Sequence, residues 1–67
     1  MNLFTPPKLV KGIHIRFGEN PIELLSLFSL HASKQNWDQQ EILNVMNQAK
    51  TGDYMNLIKT LRAHIKC

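Results

Sequence analysis

The chain has 67 residues, one cysteine, 43% hydrophobic residues and a formal charge of +3, which sets it at the size of one small domain. A domain this short buries only about 60% of the surface its unfolded chain exposes, so association commonly supplements its core. One cysteine excludes an internal disulfide framework, and the mild positive charge permits an anionic partner without demanding one.

No apolar run is long enough to span a bilayer. Met1 to Pro7 lacks the charged region and apolar stretch of a secretory signal. The chain therefore reads as a cytoplasmic protein. Residues 1–7 form an extended arm, because Pro6 and Pro7 remove two backbone donors and disfavour helix before them. Leu3 and Phe4 are placed to cover a neighbouring strand edge.

Residues 8–17 read as a strand. Leu9, Lys11, Ile13, Ile15 and Phe17 alternate with Val10, Gly12, His14 and Arg16, the period-two pattern of a half-buried strand. Gly12 marks a bulge or a close backbone approach. No second strand of comparable strength follows, and an unpaired strand recruits a partner, is covered, or aggregates.

Three helices follow, over residues 21–34, 38–51 and 53–65. The first opens with Asn20 as cap, Pro21 at the first helical position and Glu23 in the first turn. Leu24, Leu25, Leu27, Phe28 and Ala32 give it a broad apolar arc, while Ile22 and Leu30 fall on the serine side. An arc wider than one neighbour can cover points to burial between two partners. The second helix has Asp38 and Glu41 in capping-box spacing, with Trp37 set to staple onto Ile42. Gly52 suits the left-handed cap that ends it, and Asp53 caps the third. The third carries Tyr54, Ile58, Leu61 and Ile65 on one stripe, with Lys59, Arg62 and Lys66 beside it. The expected fold class is α+β, a short N-terminal strand or ribbon followed by three helices in a single small domain.

Chemistry-bearing residues have structural explanations. His14 sits on the outward strand face and His31 in the apolar arc. His64 and Cys67, three apart, could share a metal ion, but two ligands do not close a site. Ser26, Ser29 and Ser33 follow helical spacing without an adjacent base. Glu23, Asp38, Glu41 and Asp53 are all explained as caps. No nucleotide, metal or cofactor motif stands out, and no small-molecule substrate is evident, so the chain is expected to be no enzyme.

A strand followed by two helices, with the helix entry Asn36-Trp37-Asp38-Gln39-Gln40-Glu41-Ile42, resembles the ribbon–helix–helix family of DNA-binding proteins over residues 8–52. The resemblance implies a homodimer whose paired strands enter the major groove of duplex DNA, with Gly12, His14 and Arg16 facing the bases. Gly18-Glu19-Asn20 and the third helix are additions to that plan. The expectation from the residues themselves is a non-enzymatic interaction module. It would self-associate as a homodimer, or bind a protein partner, through the strand and first helix, using Ile13, Ile15, Phe17, Leu24, Leu27 and Phe28. The alternative is a DNA-binding transcription regulator that meets duplex DNA through Lys11, His14 and Arg16.

Overall fold

All three expected helices form, and their starts follow the capping residues. The computed structural model describes residues 2–66, so expectations placed on Met1 and Cys67 lie outside the described residues. Helix α1 spans Pro21–Lys34, α2 Gln39–Lys50 and α3 Tyr54–Arg62, flanked by two-residue strands β1 (Val10–Lys11) and β2 (Ile65–Lys66). The fold is α+β: three helices and a short ribbon joining the two ends of the chain.

Local chemistry accounts for the helix boundaries. Asn20 Oδ1 accepts from Ile22 N–H at 2.8 Å, and Asp53 Oδ1 accepts from Asn56 N–H at 3.0 Å. Each bond satisfies an otherwise orphaned first-turn donor. Asp38 and Glu41 form the capping box, with Asp38 N–H donating to Glu41 Oε1 at 2.9 Å. Gly52 takes φ of 99° after α2, as the left-handed cap requires. Helix α1 ends differently, with Asn36 at φ 68°. Trp37 N–H donates back to Ala32 O at 3.1 Å and Asn36 N–H to Ser33 O at 3.2 Å. This is a Schellman ending with asparagine in the glycine position, and it turns Trp37 back into the core.

The strand and the third helix differ from expectation. Ladder pairing covers only Val10–Lys11, and it is parallel to β2, with Val10 opposite Ile65 and Lys11 opposite Lys66. Residues 12–17 continue as an irregular extended strap. Gly12 is the reason, since its φ of 85° leaves the β region and shifts the alternation by one residue. Val10, Ile13 and Ile15 are therefore all buried, although Val10 was expected on the opposite side, and Leu9, Lys11 and Phe17 are exposed. Gly12 is a bend at the end of the ladder, not a bulge within it, and close approach does not hold either, because nothing lies within 4 Å of where its Cβ would be.

Helix α3 stops at Arg62 instead of continuing to residue 65 because His64 replaces a helical bond with a side-chain one. In a continuing helix His64 N–H would donate to Thr60 O. Instead its ring Nδ1 contacts Thr60 O at 2.8 Å, while His64 N–H donates to Leu61 O at 3.0 Å. That frees Ile65 and Lys66 to pair with β1, and His64 O accepts from Val10 N–H at 2.8 Å.

The core lies between the helices and beneath the ribbon. Phe28, Leu24, Ile58, Leu61, Val45 and Val10 are its largest fully buried apolar side chains. Each stabilises the fold by roughly 1.5–3 kcal/mol relative to exposure. The rings of Phe4, Phe28, Trp37 and His64 meet edge-on, with neighbouring centroids 5.4–6.5 Å apart. The N-terminal arm thus packs into the aromatic cluster through Phe4, while Leu3 remains exposed.

Candidate interaction surfaces

The expected recruiting strand is closed within its own chain, largely by side chains acting as backbone partners. Val10 uses its N–H towards β2, while Lys11 points the opposite way and meets Gln35. Lys11 N–H donates to Gln35 Oε1 at 2.9 Å, and Gln35 Nε2 donates to Lys11 O at 2.8 Å. A primary amide presents the same donor and acceptor pair as a neighbouring strand. Asn2 does the same one turn of chain earlier: Lys8 N–H donates to Asn2 Oδ1 at 3.3 Å and Asn2 Nδ2 to Lys8 O at 2.8 Å. Farther along, Arg62 Nε and Nη2 both donate to Ile15 O, at 3.1 and 3.0 Å. Tyr54 Oη accepts from Gly18 N–H at 2.8 Å and donates to Glu19 O at 2.6 Å. The strap therefore runs antiparallel to α3 and is tied to both its ends. A ribbon–helix–helix dimer would pair this strand with its twin, whereas here both edges of β1 are taken.

Of the residues expected to bind a partner, Ile13, Ile15, Leu24 and Phe28 lie in the chain's own core and Leu27 is half-buried against it. Phe17 is 61% exposed, resting edge-on against Tyr54 with centroids 5.2 Å apart.

The alternative residues Lys11, His14 and Arg16 are all exposed. The structure joins them to the ridge on α3. Lys11 stands beside Lys66 in the parallel register. His14 and Arg62 share the walls of an open groove of about 350 Å³, floored by Ile13, Ile15 and Ile65. Lys59 lies three residues before Arg62 on the same helical face, exposed as well. Among the described residues the ion pair within 4 Å is that of Lys8 with Glu41, at 2.5 Å, away from this face. Its bond to the Lys8 ammonium, then the Asp38 N–H, holds the Glu41 carboxyl below the usual range. The continuity of this basic face was hidden in the sequence by the assumption that α3 runs on to residue 65.

A second surface is mainly aliphatic and hydroxyl-bearing, with exposed Glu23 and Lys34 beside Leu30. Ile22, Ser26, Ser29 and Ser33 recur along the outward side of α1, with Leu30 flanking them. Ile22 is 73% and Leu30 52% exposed. Ser29 and Ser33 also form one wall of an open groove of about 350 Å³, whose other wall is Ile42, Leu43 and Met46 of α2. The signal for this surface was present in the sequence, because Ile22 and Leu30 fall outside the arc that α1 buries.

The histidines divide by environment. His31 is half-buried, its Nδ1 3.1 Å from Leu27 O. His64 is fully buried, and Leu3 N–H donates to its Nε2 at 3.0 Å. Since an amide can only donate, Nε2 is the acceptor and Nδ1 carries the hydrogen given to Thr60 O. Desolvation holds the His64 pKa below 6.5, against the opposing pull of the Thr60 bond. Both ring nitrogens are thus engaged, and Cys67, its suggested partner in metal binding, lies outside the described residues. Among the described residues no three His, Cys, Asp or Glu side chains converge to hold a metal ion, and no helix is long and apolar enough to cross a membrane.

No family model, curated protein or solved structure matches the chain.

Proposed function

We propose that this protein is a non-enzymatic interaction module that pairs with a second copy of itself through the outward side of α1 and the α1–α2 groove. The observation that carries the reading is the exposure of Ile22 and Leu30, 73% and 52%, on a helix whose opposite side is already committed to the core. Leu43, 41% exposed at the groove, extends the apolar area onto α2. Protruding aliphatic side chains and a serine-walled recess occur on the same surface. That combination is what an isologous two-fold contact needs, because each copy supplies both knob and hole. A specific interface covers about 800 Å² per partner, less than a fifth of the chain's 4501 Å².

Molar mass by light scattering across a wide concentration range tests this reading. The expected mass rises towards twice 7.7 kDa and stays monomeric in the double variant Ile22→Lys, Leu30→Lys. Phe17→Asp, on the strap, leaves the dimer intact. A wild-type chain that remains monomeric at the highest concentration refutes the proposal, as does dissociation by Phe17→Asp alone.

A further inference from the structure

We infer that the face built from β1, β2, the strap and α3 binds the phosphate backbone of duplex nucleic acid. Lys11, Arg16, Lys59, Arg62 and Lys66 come from both ends of the chain, and the parallel pairing of β1 with β2 brings them together. Five of the eight Lys and Arg side chains thus share one face. No carboxylate is paired with any of them among the described residues.

The arrangement has two rows. Lys11, His14 and Arg16 follow the extended chain, while Lys66 on β2 leads back to Arg62 and Lys59 on α3. The bonds from Arg62 to Ile15 O, 3.0 and 3.1 Å, hold the rows side by side. Like charges at Lys11 and Lys66 stand opposite each other in the ladder, which is unfavourable unless an anion lies over them. The dipole of α3 accounts for cations at its end. It does not account for Lys11 and Arg16, which belong to other elements.

A surface whose cations are left unpaired by carboxylates among the described residues matches a polymer of opposite sign. Duplex DNA places a charge every 1.7 Å or so along its axis. Ile13, Ile15 and Ile65, which floor the groove between the rows, are nearly buried, so they offer a peptide or a bilayer little apolar area. Phe17, the aromatic ring exposed on the strap, rests edge-on against Tyr54 at the end of the rows, a single ring where a platform for unstacked bases needs successive ones. Binding by this face is therefore to backbone and indifferent to sequence.

The test is fluorescence anisotropy with a labelled duplex, at two salt concentrations. If four of the five cations engage, affinity falls by about a hundredfold between 50 and 200 mM salt. The double variant Lys11→Gln, Lys66→Gln lowers the slope of log K against log salt by about 1.8. Both side chains are exposed, so the variant folds, and circular dichroism verifies it. Lys50→Gln, on α2 beside the start of α3, leaves the slope unchanged. Absence of binding at low salt overturns the inference, as does an equal loss in Lys50→Gln. Tighter binding to phosphatidylserine vesicles or to polyglutamate than to the duplex overturns it also, in favour of a membrane or an acidic protein.

Discussion

His64 makes the stability of this domain dependent on pH, and the sign follows from its burial. The imidazole has no exposed surface and is neutral by construction, accepting from Leu3 N–H and donating to Thr60 O. Its folded pKa lies below the unfolded value of 6.5. Below that pH the unfolded chain takes up a proton that the native state does not. Stability is therefore complete above pH 6.5 and is lost as pH falls towards the native pKa. The limiting slope for one such group is about 1.4 kcal/mol per pH unit. Against a core worth about 3–5 kcal/mol net, a full pH unit at that slope removes between about a quarter and a half of the total. Protonation also sets an N–H of the ring against the Leu3 amide, so the arm is the first element to loosen. Urea unfolding at half-unit steps from pH 8 to 5 reads the slope, and His64→Gln, which cannot titrate, flattens it. A wild-type profile that is flat through this range, or a slope that persists in His64→Gln, refutes the burial argument.

Other bonds to the strap carry smaller consequences. Gln35→Ala removes both partners of Lys11 and costs about 1–2 kcal/mol in urea unfolding, with a Lys11 amide that newly exchanges with solvent. Tyr54→Phe keeps the ring against Phe17 but loses the bonds to Gly18 and Glu19, costing about 1 kcal/mol and raising amide exchange over residues 17–19. Phe28→Ala opens a cavity at the centre of the aromatic cluster and costs about 3–5 kcal/mol, enough to leave the chain unfolded by circular dichroism.

The helix starts were legible because their signals are local. Asn20-Pro21, Asp38 with Glu41, and Asp53 each place a cap within a turn of the donor it satisfies. The far end of α3 was not legible for the opposite reason. Ile65 extends the stripe of Tyr54, Ile58 and Leu61 at helical spacing, and only Val10, across the whole length of the chain, decides that it pairs as a strand. Gly12 was recognisable as an irregularity, but its effect on the phase of Val10 relative to Ile13 depends on a positive φ that sequence leaves open. Gln35 and Asn2 gave no sign of their part, since an amide that substitutes for a strand looks like any polar residue in a loop. The candidate surfaces show the same division. Ile22 and Leu30 stood out on the serine side of α1 by helical spacing alone, whereas the union of Lys11 and Arg16 with Lys59, Arg62 and Lys66 exists only once β2 has formed.

The closure of β1 within its own chain underlies both proposed surfaces, because it frees α1 for a twin and sets Lys11 beside Lys66. Amide hydrogen exchange of Val10 and Lys11, followed by NMR at low and high protein concentration, tests it most directly. The account predicts protection of both amides that is the same at every concentration, with Lys11 alone losing it in Gln35→Ala. Protection that appears only as concentration rises would mean that the strand pairs between chains, and would contradict the account.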